Sequence, residues 1–172
     1  MDYKSVMAYC VFETRRGFVA LVGKNGKLTR STLPKASRDE AIHAIRAGLD
    51  ESAVEDSPTF GDLPEKLSRY FERERTDFSC VPVDLSGCGA FHAAALLAAR
   101  TIPYGKIVSY GDLARMAGRQ NAARAAGTAM ANNSTPVIVP CHRVVASGGR
   151  LGGFSSGLEW KRELLSIEGV QF

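Results

Sequence analysis

Residues 109–131, SYGDLARMAGRQNAARAAGTAMA, carry two short helical patterns separated by a break. Ser109 offers the side-chain oxygen of an N-cap, and Leu113 and Met116 follow at helical spacing. Gly118-Arg119-Gln120 interrupts that pattern, and Asn121 stands where it can cap a second short helix over residues 122–131. Two short helices joined through a glycine turn make a helix-turn-helix pattern, which either packs inside an α-helical domain or enters a DNA groove. Ala122, Ala123, Ala125, Ala126, Gly127 and Ala129 keep the second helix thin, and Arg124 is its single long side chain. A thin helix brings its backbone close to a partner but carries few donors for base edges. The expected binding is therefore to phosphate and shape, with little sequence preference. The same alanines would equally allow close helix packing with no partner at all.

On either side, FHAAALLAARTI (residues 91–102) reads as an apolar helix stopped by Pro103-Tyr104-Gly105. LEWKRELLSIEG (158–169) reads as an amphipathic helix ending at Gly169, a C′ glycine. The segment Leu85-Ser86-Gly87-Cys88-Gly89 marks a boundary, because composition changes there from charged and mixed to alanine-rich and basic. Before it, residues 5–12, 17–22 and 27–32 are apolar and β-branched, with Arg16-Gly17 and Asn25-Gly26 between them, which predicts an antiparallel meander. Ser37 and Glu40 have capping-box spacing ahead of Ala41, Ile42, Ile45 and Leu49, predicting a helix. Residues 58–64 read as a loop, Leu67, Tyr70 and Phe71 as the face of another helix, and FSCVPVDL (78–85) as a further strand. The fold class is α/β. Residues 1–84 form a small N-terminal α/β domain of structural role, an antiparallel sheet plus helices, and residues 85–172 form a mainly α-helical domain with the helix-turn-helix.

A chain of 172 residues with 45% apolar and 23% charged residues has room for one or two small domains and excludes repeat arrays, large multidomain enzymes and low-complexity chains. The net charge of +4 is unevenly placed. Residues 1–87 hold 13 basic and 14 acidic side chains, whereas 88–172 hold 9 and 4. Between Arg100 and Leu158 the bases face Asp112 alone, a polyanion signal. The cysteines Cys10, Cys80, Cys88 and Cys141 lack CxxC spacing and do not cluster with His43, His92 and His142, so neither a zinc site nor a disulfide scaffold is expected. Acids and bases lie too close around the first apolar run for a signal peptide, and prolines and asparagines interrupt the longest uncharged stretch, 125–142, so no membrane span is expected. A reducing cytosol or another DNA-containing compartment is the expected location.

The chemistry concentrates in Pro136-Val137-Ile138-Val139-Pro140-Cys141-His142-Arg143-Val144-Val145, read as a buried strand leading through a proline to a cysteine, a histidine and an arginine. A thiolate is a nucleophile, and a nearby base or cation lowers the thiol pKa from about 8.5. Adjacent side chains on an extended backbone point to opposite faces, so Cys141 and His142 need a turn or a bridging water to communicate. A buried structural cysteine beside a hydrogen-bonded histidine would give the same sequence.

Pro140-Cys141-His142-Arg143-Val144 resembles the active-site motif of the O6-alkylguanine-DNA alkyltransferases, also called methylated-DNA–protein-cysteine methyltransferases. Ile102-Pro103-Tyr104-Gly105, Ser109-Tyr110, Ala122-Ala123-Arg124-Ala125, Asn132-Asn133 and Glu168-Gly169 match in the same order, over roughly residues 88–170. The first half is similar, less closely, to the family's RNase H-like N-terminal domain. The resemblance implies a winged-helix-like second domain and DNA repair by direct reversal, with no cofactor and no metal. The Cys141 thiolate would displace guanine from the alkyl carbon on O6, leaving a thioether that does not hydrolyse, so each molecule acts once. His142 would take the thiol proton through a water, Glu168 would hold the imidazole tautomer, Tyr110 would give a proton to the departing base, and Asn133 would brace the segment.

The resemblance further implies that the lesion is flipped out of double-stranded DNA through the minor groove, with Arg124 entering the stack. Tyr110, Arg119, Ala123, Gly127 and Ser147 would join Arg124 on the DNA, while Phe154, Ser155, Val144 and Pro136 would form the pocket. The partner is duplex DNA containing O6-alkylguanine, and no membrane. The protein would be a monomer in the cytoplasm, at the nucleoid of a prokaryote or in the nucleus of a eukaryote; O4-alkylthymine repair and cooperative DNA binding stay open. The helix opening at Phe91 lacks the Arg and the Val-Trp pair common in relatives, Phe154 replaces a tyrosine, and the Cys/His zinc set of some relatives is missing beyond Cys10. Three other classes compete: a non-catalytic lesion-binding module, which Cys141 argues against; a sequence-specific transcription factor, which the thin helix serves poorly; and a cysteine hydrolase.

Overall fold

Asn25 and Gly26 both adopt left-handed backbone, φ 54 and 71, the requirement of a two-residue hairpin turn whose twist suits its strands. Strand β2 (Gly17–Lys24) therefore folds straight back into β3 (Lys27–Ser31). Strand β1 (Met7–Thr14) pairs antiparallel with β2, from Met7 opposite Lys24 to Thr14 opposite Gly17. The computed structural model describes residues 6–172, so Ser5 of the expected first strand, and the start of the N-terminal stretch read for targeting signals, lie outside the described residues. Helix α1 (Arg38–Ile45) begins where the Ser37 hydroxyl accepts from the Glu40 N–H at 3.2 Å. Its Ala41 and Ile45 close a core with Met7, Ala20 and Val22. Ile42 is only half-buried, and the helix tightens into a 3-10 turn at Arg46–Gly48 before Leu49 packs on the same core. A second edge strand, β4 (Val54–Glu55), joins β1 in parallel, giving the order β3-β2-β1-β4. Its two exposed residues carry no alternation that a sequence could betray. Helix α2 (Leu63–Phe71) buries Leu63, Leu67, Tyr70 and Phe71.

The expected strand over residues 78–85 is not one. It makes a single bridge, Val83 to Leu28, with Leu28 N–H donating to Pro82 and Asp84 N–H donating to Leu28. Pro82 has no N–H to extend the ladder.

The chain divides into two compact units, Met1–Asp84 and Leu85–Phe172. The second contains α3 (Ala90–Arg100), α4 (Tyr110–Met116), α5 (Ala123–Ala131) and α6 (Leu158–Ile167). A two-stranded parallel sheet also forms there, of β5 (Val108–Ser109) and β6 (Val144–Val145), which no periodicity announced. A reciprocal capping box opens α4: Asp112 N–H donates to Ser109 Oγ at 3.0 Å and Ser109 N–H to Asp112 Oδ2 at 3.1 Å. The Ser109 hydroxyl, which donates to Asp112 Oδ2 at 2.6 Å, together with the Ser109 N–H and Arg115, holds the Asp112 carboxyl down at about 2. Ala95 and Ala99 of α3, Leu113 and Ala114 of α4, and Ala126 and Ala129 of α5 are buried where the three helices pack on one another. Asn121 does not cap α5. It takes left-handed backbone at φ 57, after Gly118 at φ 85, and Ala122 occupies the N-cap position; the turn needs a residue that tolerates positive φ, and asparagine does so better than most. Helix α6 ends in a Schellman motif, with Gly169 at φ 79 and Val170 N–H reaching Leu165 O at 2.9 Å.

Residues 136–139, read as a buried strand, instead form a tight turn. Val139 N–H donates to Thr135 O at 2.9 Å, Pro136 bridges Val139, and Val137 holds φ 73. Prolines at both ends of the segment remove ladder donors, and a β-branched residue at positive φ stores about 1–3 kcal/mol of strain.

Two glycines of the meander separate backbone strain from steric clash. A Cβ on Gly26 (φ +71) would meet nothing within 4 Å, whereas one on Gly17 (φ +121) would lie 2.3 Å from the Lys35 carbonyl oxygen. Gly26→Ala is expected to lower unfolding free energy by about 1–2 kcal/mol, and Gly17→Ala by clearly more, as read from urea midpoints.

Candidate active site

Cys141–Arg143 form a 3-10 turn directly ahead of β6. The turn supplies what an extended segment lacks: consecutive side chains swing around one axis, so thiol, imidazole and guanidinium each meet a different wall of one buried site. Asn133, just past the end of α5, donates from Nδ2 to the Cys141 sulfur at 3.1 Å and to Val139 O at 2.9 Å, while its Oδ1 accepts from Thr135 N–H at 3.0 Å. One amide thus ties the end of α5, the strained turn and the thiol together. Burial pushes the Cys141 thiol up, opposed by the Asn133 hydrogen bond and the charge of Lys161.

His142 has no exposed surface. Its Nε2 lies 2.7 Å from Glu168 Oε1, and Arg143 donates from Nη2 to the same oxygen at 3.0 Å and from Nε to Oε2 at 2.9 Å. Gly105 N–H completes the set at 3.0 Å from Oε2. Burial works to raise the Glu168 carboxyl, but the hydrogen bonds and charges of His142 and Arg143 outweigh it and hold it at about 2. Burial lowers His142, which Glu168 counters and Arg143 and Lys161 reinforce.

Cys141 lines a cavity of about 810 Å³ that also presents Tyr110, Phe154 and Ser155. Ala123, Arg124 and Gly127 of α5 reach the same cavity, as does Ser147. The structure therefore gathers most of the residues singled out from sequence. Asn133, His142 and Glu168 lie in the network behind the thiol, and three of the residues expected on the DNA or in the pocket stand apart from the cavity wall: Val144 is fully buried in β6, Pro136 sits in the preceding turn, and the Arg119 guanidinium lies 5.0 Å above the Phe91 ring.

Sequence reasoning missed Lys161. This lysine is fully buried, and its ammonium donates to Val144 O at 2.7 Å, Gly153 O at 3.0 Å and the Tyr110 hydroxyl at 3.4 Å. It faces the rings of Tyr110 and Phe154 at 5.6 and 6.0 Å, and burial brings it down to about 8. The signal was its spacing: Lys161, Leu164, Leu165 and Glu168 share one buried helical face. From sequence, Arg143 reads as part of the active-site motif and as a charge, with no partner assigned to it.

Residues 90–170 match the family profile described as 6-O-methylguanine DNA methyltransferase, DNA binding domain, and residues 9–85 match the ribonuclease-like domain of the same protein. A methylated-DNA–protein-cysteine methyltransferase of Mycolicibacterium paratuberculosis is 34% identical over 163 residues, 95% of this chain and 93% of that one. The chain belongs to the methylated-DNA–protein-cysteine methyltransferase family. Its activity is DNA repair by alkyl transfer to a protein cysteine. A methyltransferase from Methanopyrus kandleri is 47% identical over 112 residues, 65% of this chain and 82% of its own. Among solved structures, Mycobacterium tuberculosis OGT in complex with DNA superposes with a TM-score of 0.76 at 33% identity, covering 94% of this chain and 93% of that one. The O6-methylguanine-DNA methyltransferase of Pyrococcus kodakaraensis gives 0.70 at 27% identity, covering 96% and 100%. This methyltransferase thus has the expected mixed architecture, an N-terminal sheet domain and a helical C-terminal domain. Among the described residues, no helix is long and apolar enough to cross a membrane, and no group of three or more His, Cys, Asp or Glu could hold a metal ion.

The buried network makes the methyltransferase acid-sensitive, with a defined sign. His142 is held below its ordinary 6.5, so under that pH the unfolded chain binds a proton that the folded chain refuses, and stability falls as pH falls. Glu168 is held below its ordinary 4.5, so its contribution is complete above that value and is lost as pH drops towards about 2. Urea midpoints are expected to decline from about pH 6.5 downward, and His142→Gln is expected to flatten the upper part of that decline.

Proposed function

We propose that this methyltransferase repairs O6-alkylguanine in duplex DNA by a single irreversible transfer to Cys141. The observation that carries this reading is the position of the thiol in a cavity onto which Ala123, Arg124 and Gly127 of α5 also open. The target carbon is hidden in stacked DNA, so the nucleotide must be flipped out, at a cost of a few kcal/mol that is smaller for a poorly paired base. The exposed, thin face of α5 lets backbone approach the minor groove, and Arg124 fills the gap in the stack. Phe154 packs on the flipped base, and Ser155 meets O6.

The chemistry is a displacement at carbon. The thiol proton passes through a water to His142 Nδ1, since Nε2 is engaged with Glu168. The sulfur then bonds to the alkyl carbon as the carbon–O6 bond breaks, and that electron pair returns to the purine. Tyr110 gives its proton to a ring nitrogen, so the base leaves as neutral guanine. Burial, with the charge of Cys141 second, pushes the Tyr110 phenol up, keeping it protonated and able to donate. The imidazolium proton returns to the phenolate through solvent. The thioether on Cys141 has no comparable leaving group, so one chain repairs one lesion. O4-alkylthymine presents the same carbon–oxygen bond and is the second substrate to assay. The chain acts as a monomer in the DNA-containing compartment, with residues 1–84 as a supporting domain.

Mixing the protein with a duplex carrying O6-methylguanine is expected to add one methyl group to the peptide containing Cys141, read by mass spectrometry. Transfer in Cys141→Ser, or lesion binding without transfer in the native chain, would overturn the reading. Arg124→Ala is expected to slow repair of a paired lesion by about tenfold or more, equivalent to about 1.4 kcal/mol of lost transition-state stabilisation, and to slow repair in a single strand much less.

A further inference from the structure

We propose that Arg143 is a positioning residue of the transfer reaction, holding the Glu168 carboxylate as an acceptor towards His142 so that the imidazole carries its proton on Nε2 and keeps Nδ1 as the base. The inference rests on the function proposed above and adds a component to it.

Glu168 occupies the C-cap of α6. Helix C-termini carry partial negative charge, so a buried carboxylate is disfavoured there unless other elements supply compensation. Two donations come from Arg143, one from Gly105 N–H, and the fourth partner is His142 Nε2. With Oε2 taken by Arg143 Nε and Gly105, only Oε1 faces the imidazole. The guanidinium is itself fixed: Nη1 donates to Ile102 O at 2.6 Å, just past α3, and the Tyr104 ring lies 5.9 Å from its centre. Tyr104 is anchored in turn by its hydroxyl on Ile167 O at 2.9 Å. The rigid fork of arginine suits this arrangement, whereas a lysine would bring charge without two parallel donors.

The consequence of losing Arg143 follows from proton positions. A buried carboxylate at a helix C-terminus without its cation takes up a proton. A protonated Glu168 donates its O–H to Nε2, the imidazole proton moves to Nδ1, and the nitrogen that would take the thiol proton is no longer a base. The groups that bear on this titration are His142 and Arg143 from the turn, Tyr104 from the segment after α3, and Lys161 from α6, whose charge acts on His142.

The test uses the full chain and a duplex carrying O6-methylguanine, with transfer rates measured against pH for the native protein, Arg143→Lys, Arg143→Gln and the double variant Arg143→Gln with Glu168→Gln. Arg143→Gln is expected to be at least about 100-fold slow at neutral pH, because a triad histidine in the wrong tautomer costs up to about 10⁴ in rate. Its rate should recover as pH rises through the restored Glu168 titration. Arg143→Lys should recover at lower pH, and the double variant should show no such rise. Nitrogen NMR of His142 should report an Nε2–H imidazole in the native chain and Nδ1–H in Arg143→Gln where it is slow. If Arg143→Gln does not fold, Arg143→Lys decides the matter alone. Profiles parallel to the native one, or an unchanged tautomer, would overturn the role of Arg143, whereas a native chain that never methylates Cys141 would overturn the proposed function instead.

Discussion

A carboxylate buried at the negative end of a helix is the constraint around which the second unit is arranged. Glu168 cannot be stabilised by its own helix, so its partners come from two other places in the chain, the turn at His142 and Arg143 and the segment at Gly105, while the carbonyl of Ile102 secures Arg143. Each requirement fixes local backbone. Gly105 holds φ +74, and a Cβ there would lie 3.0 Å from the Glu168 carbonyl oxygen, so any other residue would be both strained and crowded at this donor. Gly169 ends α6 one residue beyond Glu168 and thereby leaves that residue at the C-cap. A fully compensated carboxylate stays ionised and presents a fixed acceptor beside the imidazole.

The second constraint is closeness. Helix α5 uses one face of small residues, Ala126 and Ala129, to pack inward and another, with Ala123 and Gly127, to border the cavity. The alternatives that its sequence left open are therefore not exclusive: the same composition serves packing on one side and leaves an open face beside the cavity on the other. Asn133 then fastens the end of that helix to the sulfur of Cys141. A shift of α5 against a partner would be felt at the thiol through one amide, without any intervening loop.

Local signals were readable where the chain settles its own conformation. The Asn25-Gly26 hairpin, the Ser109–Asp112 cap and the helical face of Leu67, Tyr70 and Phe71 all follow from residues within one turn of each other. Other expectations failed where tertiary context overrides propensity. Val137, Ile138 and Val139 have strand composition, yet prolines on both sides and a site that needs a turn hold Val137 at positive φ. Strands β5 and β6 exist only because residues 36 positions apart in sequence meet, Val108 with Val144. Among the site residues, Cys141 and His142 were legible from side-chain chemistry. Glu168, Asn133, Tyr110 and Arg124 drew their roles from the family resemblance. Lys161 and Arg143 escaped because their meaning lies in partners far along the chain, Val144 and Gly153 for one, Glu168 and Ile102 for the other.

That burial also changes what the basic charge of the second half means. Residues 88–172 hold 9 basic and 4 acidic side chains, and the excess reads in sequence as a surface for a polyanion. Two of those cations are interior groups of the site: Lys161 is bonded to carbonyl oxygens, and Arg143 is spent on Glu168. Two more are held at the surface by neighbours, Arg115 against Asp112 and Arg119 over Phe91. Counterion release depends only on cations that reach phosphates, so the electrostatic pull on DNA is smaller than the count implies. Shape must then carry more of the recognition, which suits a protein whose proposed task is to find a flipped base within any sequence, and it leaves Arg124, exposed on the thin helix and at the rim of the cavity, as the cation placed where charge and geometry coincide.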